Sequence, residues 1–326
     1  MPIFTPPSQL SFCGERLPLD KRHGREMLDR EFTIVVYNHP QVILWLKRSR
    51  RYLPFFSQQL HQAGLPDDLK YLPVIESSLL ENIHSRAGAA GLWQFMKHTG
   101  KRQGLRITAD LDERLDPLRS TQAAISYLAF LKEKFGTWAL ALAAYNCGEK
   151  RVSAAISMQQ ANSYYHLSLP AESERYLYRL AAIKLIITNP DRYGFRIPAD
   201  QYYQPLPNHR VTLNLKQRYR LTDFAKGLGT TYHTLKKLNP QFISTFLPRG
   251  RFTLLLPQNC RQDPMAIIRT LPPQPAAAGQ RFYTVKPGDT LGAISRRFHI
   301  PTARLRRLNR LSGSKIMIGQ KLRLRE

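Results

Sequence analysis

The stretch that most restricts how this chain can fold is TWALALAAYN, Thr137 to Asn146. Read as a helix it is apolar on every side, with no polar stripe to give to water. Such a helix must be surrounded by other elements, so it belongs at the centre of a helical body. The chain supplies the surrounding pieces. Residues 22–63 set Phe32, Ile34, Val35, Val36, Val42, Ile43, Leu44, Leu46, Leu53, Phe55, Phe56 and Leu60 between Lys and Arg positions, with Pro40 dividing two helices. Pro66-Asp67-Asp68 reads as a helix start, proline first and acids where the dipole favours them. That helix is expected to carry Leu69, Leu72, Val74, Ile75 and Glu76. The pattern STQAAISYLAFLKEKFG predicts a helix capped by Ser120 and stopped by Gly136. Residues 172–188 predict another. Up to Tyr193 the chain reads as almost purely helical.

The character then changes. YGFRIPADQYYQPLPNHR is a Pro- and Tyr-rich connection. VTLNL, two short helical patterns and FTLLLP follow within 209–257. After a Pro- and Ala-rich stretch (Pro272 to Gln280) the same strand, helix, helix, strand order returns, with Leu238-Asn239 and Leu308-Asn309 at matching points. This is an internal repeat whose second copy is cleaner. The expected fold is a mainly α body followed by small α+β (βααβ) modules. Its expected pieces are a helical extension packed on the body (1–65), the body (66–200), a first module (207–258), a linker (259–280) and a second module (281–326).

Several function classes drop out. No run of about 18 apolar residues predicts a membrane-spanning helix. The start lacks a basic segment followed by an apolar one, so no secretory leader is read there. Cys13, Cys147 and Cys260 are too few for a disulfide framework, and neither CxxC nor HExxH occurs, so no metal and no cofactor is expected. A formal net charge of +26 implies a polyanionic neighbour: nucleic acid, an anionic membrane face or a cell-wall polymer. RRFHIPTARLRRLNR could lie along phosphates. The PGDT before it and IGQKL after it belong to the repeat instead, and no nucleic-acid partner is expected.

One acid stands apart. Glu76 ends the apolar run YLPVIE and precedes Ser77-Ser78. Burial disfavours a carboxylate, so walls supplied by Leu72, Val74, Ile75, Trp93 and Phe95 would make Glu76 a proton donor near neutral pH. Acid–base chemistry often pairs two carboxylates. The other candidates are Glu81, Asp110, Asp112, Glu113 and Asp116. Glu81 is poorly placed for a shared face, and DLDERLDP reads as a solvated turn with Arg114 pairing locally. Gly88 and Gly91 would let backbone lie close to a ligand. Cys147 reads as a small buried residue.

Four blocks carry a resemblance. Glu76-Ser77-Ser78, Ser85 to Phe95 (SRAGAAGLWQF), Ala143 to Gly148 (AAYNCG) and Glu172 to Tyr176 (ESERY) follow in the order found in lytic transglycosylases. Region 67–185 thus resembles their soluble-type, goose-lysozyme-like helical domain. The late block departs: Tyr176-Leu177-Tyr178 stands where the family has Tyr-Val-Pro. The tail resembles a LysM module through Tyr283-Thr284-Val285, Pro287 to Leu291, Ile294-Ser295, Leu308-Asn309 and Ile318-Gly319-Gln320. Residues 209–257 look like a degenerate LysM that keeps Leu221, Ala225 and Leu238-Asn239-Pro240 but lacks the PGDT turn.

The resemblance implies cleavage of the β-1,4 bond between N-acetylmuramic acid and N-acetylglucosamine, leaving 1,6-anhydro-muramic ends. Glu76 would act alone as acid and then base. Ser85 and Gln94 would touch the sugar, Tyr145 and Tyr176 would hold the ring or the carboxyl, and Asn146 would assist. A LysM groove would run between Gly288-Asp289-Thr290-Leu291 and Ser314 to Ile318, including Lys315, Ile316 and Met317. The implied partners are peptidoglycan glycan strands and anionic envelope surfaces, met by a monomer in the bacterial cell envelope, periplasmic or outer-membrane associated.

Overall fold

The computed structural model describes residues 3–274, 282–298 and 300–324. A small hairpin, β1 (Ser11–Phe12) and β2 (Glu15–Arg16), precedes α1 (Arg22–Val36) and α2 (His39–Gln62). Pro40 sits in the first turn of α2, where its missing N–H costs nothing. The helix expected through Glu76 is two pieces, a 3-10 turn at Asp67–Tyr71 and α3 (Leu72–Ser77), with Pro73 in the first turn of α3. Proline cannot donate the bond that would continue one helix into the next. Then come α4 (Lys97–Arg102), α5 (Pro117–Phe135), α6 (Trp138–Cys147), α7 (Glu149–Gln159) and α8 (Ala171–Thr188).

α6 is the apolar helix, and every residue from Trp138 to Ala144 is buried. It packs against α5, α7 and α8, while α1 lies along α8. The same core takes in Phe12, Leu17, Leu28 and Phe32 from the N-terminal segment and runs on to Phe195. α5 begins earlier than the pattern predicts. Asp116, not Ser120, is its N-cap: the carboxylate accepts from Leu118 N (2.9 Å) and Arg119 N (3.0 Å). An Asp-Pro pair supplies the cap and the first helical residue together. Ser120 is buried one turn in, its hydroxyl donating to Asp116 O (2.6 Å).

The first module runs β3 (Asn208–Leu215), β4 (Tyr219–Arg220), α9 (Leu221–Gly227), α10 (Tyr232–Leu238), β5 (Phe246–Leu247) and β6 (Gly250–Pro257). β3 pairs with β6 and β4 with β5, both antiparallel. The linker expected at 259–280 does not begin there. α11 (Pro264–Thr270) packs Ile268 into the module's core, and Gln274 N donates to Arg218 O (2.8 Å). The apolar Met265, Ile267 and Ile268 gain more from burial than from a solvated tether. Residues 275–280 lie outside the described residues. The second module has β7 (Phe282–Thr284), α12 (Leu291–Arg297), α13 (Thr302–Leu308) and β8 (Lys321–Arg323), with β7 antiparallel to β8.

The repeated Leu-Asn pair has a physical reason. Asn239 Nδ2 donates to Leu235 O and Leu255 O, and its Oδ1 accepts from Leu255 N. Asn309 does the same with Leu305 O and with the O and N of Arg323. In both modules one asparagine ties the end of the second helix to the last strand.

Candidate active site

Glu76 stands in the last turn of α3. The helix stops abruptly because Ser78 (φ 54°) and Leu79 (φ 59°) are both left-handed. Each costs about 1–2 kcal/mol relative to a right-handed residue, so the turn must be held. Ser78 N reaches Val74 O and Leu79 N reaches Pro73 O, both at 3.1 Å. From α2, Arg48 Nη1 donates to Ser78 O (3.0 Å) and Gln41 Nε2 to Ser78 Oγ (3.2 Å). Leu79 is buried. α2 thus grips the turn that aims Glu76. Neither Gln41 nor Arg48 stood out in the sequence, since a polar residue on an amphipathic helix reads as a solvated face.

Tyr176, on α8, donates its hydroxyl to Glu76 Oε1 at 2.5 Å. Glu76 keeps a little open surface, but protein atoms crowd its carboxyl. Loss of solvent pushes its pKa up to about 7; the Tyr176 hydrogen bond and Arg179 pull the other way, and the charge of Glu172 adds to the rise. Burial, and then the nearby Glu76 charge, hold the hydroxyls of Tyr145 and Tyr176 well above their ordinary range, so both stay donors. The α8 helix runs unbroken through Tyr176-Leu177-Tyr178, all three buried. The departure from the family's Tyr-Val-Pro therefore leaves Tyr176 in place.

The other expected residues are brought into the surroundings by different bonds. Tyr145 donates to Trp93 O (2.8 Å). Asn146 Oδ1 accepts from Ser173 Oγ (2.6 Å), tying the end of α6 to the start of α8. Gln94 is left-handed (φ 47°) and spends its amide donors on Gly91 O (2.8 Å) and Ile83 O (3.4 Å). Ser85 is exposed and its hydroxyl accepts from Ala89 N (3.0 Å) inside its own turn. Among the described residues no hydrogen bond joins Ser85, Gln94 or Asn146 to Glu76. Cys147 is half-buried rather than buried.

The acidic run is not a solvated turn. Asp112, Glu113 and Arg114 are buried. Arg114 does pair locally, with Nε and Nη2 on the Asp112 carboxylate (3.0 and 2.7 Å). Its Nη1 also donates to Gly88 O (2.8 Å) and Phe95 O (3.0 Å). One guanidinium therefore pins both ends of the loop that carries Gln94, a fixed multi-donor geometry that lysine could not reproduce. Gly91 is required by protein rather than sugar: a Cβ there would lie 1.9 Å from Arg114 O. At Gly88 a Cβ would meet nothing within 4 Å.

Each acid weighed as a partner for Glu76 is engaged elsewhere. Glu81 accepts from Tyr52 Oη (2.7 Å). Asp110 pairs with Arg218 (2.6 Å) and Glu113 with Arg106 (2.7 Å). Asp112 holds Arg114, and Asp116 caps α5. The carboxylate whose charge does reach Glu76 is Glu172, exposed in the first turn of α8, which the sequence offered only as part of a motif block. No group of His, Cys, Asp or Glu among the described residues is arranged to hold a metal ion.

Two family models match this chain: the transglycosylase SLT domain over residues 54–168 and the LysM domain over residues 283–325. The chain carries an SLT transglycosylase domain and a LysM domain. The membrane-bound lytic murein transglycosylase D of Escherichia coli is 31% identical over 292 residues, covering 84% of this chain and 63% of that protein. The chain thus spans less than two thirds of that relative's length. The peptidoglycan transglycosylase gp16 of Escherichia phage T7 is 40% identical over 88 residues, 26% of this chain and 7% of that one. The crystal structure of the 70 kDa soluble lytic transglycosylase of Escherichia coli has a TM-score of 0.36 and 21% identity, covering 47% of this chain and 27% of that one. The SLT match begins inside α2 and ends before α8. The segment before it nonetheless shares the domain's core, and Tyr176 beyond it supplies the hydrogen bond to Glu76.

In the LysM domain, Asp289 Oδ2 accepts from Tyr283 Oη (2.7 Å) and Lys286 N (2.8 Å), Thr290 caps α12, and Gly288 takes φ 84°. Leu291 is core and Ile316 is half-buried against it. These residues build the loops. Lys315, Met317 and Ile318 are exposed, the last two each 69% open, as are Gly288, Thr290 and Ser314. The first module differs at the matching place. There β4 and β5 zip the two loops together through Tyr219↔Leu247 and Arg220↔Phe246. Arg218 lies 4.1 Å over the Phe246 ring. The segment 110–112 of the helical body then docks: Asp112 N donates to Gln241 O (2.8 Å), Ile243 N to Asp110 O (3.0 Å), and Leu111 joins the module's core.

Proposed function

We propose that this protein is a peptidoglycan lytic transglycosylase that works with Glu76 as its single catalytic carboxyl. The observation that carries this is a protonatable Glu76 gripped by Tyr176 while Glu81, Asp110, Asp112, Glu113 and Asp116 are all engaged elsewhere. Protonated Glu76 gives its proton to the glycosidic oxygen, and the N-acetylglucosamine side leaves. The C6 hydroxyl of the muramic acid attacks its own anomeric carbon and returns a proton to the Glu76 carboxylate. The bond lost is C1–O4, the bond gained is C1–O6, and no water is consumed. Tyr176 steadies the carboxylate between the two proton transfers. Tyr145 and Gln94 fix the backbone of the 83–95 loop, with Ser85, Gln94 and Asn146 as candidate sugar contacts.

The LysM domain is proposed to hold the substrate strand through Lys315, Met317 and Ile318, with Gly288 to Leu291 and Ile316 shaping the groove. Tethering raises the effective substrate concentration at Glu76. Action in the cell envelope follows from this substrate. No helix among the described residues is long and apolar enough to cross a membrane. The test is mass spectrometry of soluble products from purified peptidoglycan, with Glu76→Gln beside the wild type. Products lighter than hydrolysed ends by one water, lost in the variant, support the proposal. The reach of the Glu172 charge favours one alternative, in which Glu172 activates water. Reducing ends, lost in Glu172→Gln, would establish that instead.

A further inference from the structure

Where the first module meets the helical body there is a cavity of about 210 Å3, whose lining includes neither Glu76 nor Tyr176. Its floor on the body side is apolar, formed by Tyr52 and Phe55 of α2 and Leu118 of α5. Four cations share the lining: Arg51 from α2, which donates to Gln204 O, Arg119 from α5, Arg210 from β3 and Lys237 from α10. The side chains of Arg210 and Lys237 are exposed and take no part in the hydrogen bonds or ion pairs among the described residues, although the Lys237 charge reaches Glu81. Arg119 is only loosely matched, 3.8 Å from Glu113. The cavity also holds two acids, Glu81 and Asp116. Burial pushes Glu81 up while Tyr52, Arg51 and Lys237 pull the other way, and its carboxyl accepts from Tyr52. Asp116 is likewise pushed up by burial and spent on the α5 cap. The walls are fixed relative to one another by the Asp110–Arg218 ion pair and the two backbone bonds between 110–112 and 241–243. Four cations against two acids, beside an apolar floor and on walls that are locked together, make a preformed recess for a carboxylate with an aliphatic or amide body.

We propose that this recess binds a short carboxylate-bearing peptide, with Arg210 and Lys237 holding the carboxylate and Tyr52 and Phe55 packing the peptide body. That the peptide is one carried by peptidoglycan rests on the function proposed above; the binding chemistry does not. The site would let the enzyme read the peptide decoration of a strand at a distance from the bond it cuts.

The test is calorimetry on the full chain carrying Glu76→Gln. The probes are the free tetrapeptide of peptidoglycan, the same peptide with its carboxyls amidated, and tetra-N-acetylglucosamine. The acidic peptide should bind at least tenfold tighter than the amidated one. Arg210→Ala with Lys237→Ala should remove that advantage, and Arg210→Lys with Lys237→Arg should restore it. Binding of the sugar should not change. Both side chains are exposed, and an unchanged melting temperature of the Ala pair guards against a folding effect. With Glu76 intact, the Ala pair should raise KM several-fold on peptide-bearing sacculi and leave it unchanged on peptide-stripped strands. A changed binding constant with unchanged KM on both substrates would assign the recess to free peptide instead. Equal binding of the acidic and amidated peptides, or binding indifferent to the Ala pair, overturns the proposal. Absent cleavage by the wild type would refute the enzymatic function while leaving this binding result intact.

Discussion

At the scale of single residues, Glu76 trades stability for chemistry. Its folded pKa is raised from 4.5 to about 7 by desolvation. Below about pH 4.5 both folded and unfolded states hold the proton, and the residue is neutral to stability. As pH rises toward 7 the unfolded chain gives up a proton that the fold keeps, so stability falls across that window. Glu76→Gln should therefore be more stable than wild type at pH 7 by about 2 kcal/mol, allowing for the open part of the side chain. The difference should vanish below pH 4.5. Denaturant melts at both pH values check this, and a gain that persists at pH 4 would count against it. The same carboxyl is the proposed proton donor, so kcat/KM should fall on the alkaline side of about pH 7. Tyr176→Phe removes a hydrogen bond that favours the carboxylate. The alkaline limb should move upward in pH, and kcat should drop on the order of 10- to 100-fold. A limb that moves downward would mean the hydroxyl does not act on the carboxylate.

Among the elements, the 83–95 loop matters most because its geometry is set from outside itself. Arg114 binds the carbonyls of Gly88 and Phe95, and Gly91 lies against the Arg114 backbone at φ 80°. Gly91→Ala meets both a left-handed backbone and a Cβ 1.9 Å from a carbonyl oxygen. It should cost about 3 kcal/mol or more and displace Gln94. Gly88→Ala, with open space around its Cβ, should cost only the conformational penalty of about 1–2 kcal/mol. Thermal melts of the two variants, with activity measured below both transitions, separate them. Equal losses would show that the Arg114 contact is not what requires Gly91. The loop's motif was legible as SRAGAAGLWQF, and so was the local pairing of Arg114. Its supports were not, because Arg114 lies 19 residues past Phe95 and the acids around it resemble a solvated turn. The bonds from Arg114 to the Gly88 and Phe95 carbonyls and the burial of Glu113 come from contacts that no local pattern records.

The two modules, alike in sequence, do different work in the whole molecule. The LysM domain leaves Met317 and Ile318 open, whereas the first module closes the matching loops and buries Leu111 of the helical body. Removing 281–326 should weaken binding to sacculi while leaving cleavage of short glycans intact, as pull-down and product assays would show. Removing 208–326 should also destabilise what remains. It removes the Asp110–Arg218 ion pair and exposes Leu111, whose burial is worth about 1.5–3 kcal/mol. Equal melting temperatures for the two truncations would show that the first module is only a tether.

The sequence by itself determined that a central apolar helix needs a helical body, that two βααβ modules follow, and that Glu76 is the acid to examine. These are matters of periodicity, cap chemistry and short motifs, all encoded within a few residues. Only the tertiary structure decided that Tyr176, a hundred residues along, reaches Glu76. It alone decided that α2 clamps the turn after Glu76, that the acidic run is buried, and that the supposed linker carries a packed helix. In each case the deciding energy is a contact between distant segments, where burial removes water from a charge or a backbone group and a remote partner replaces it.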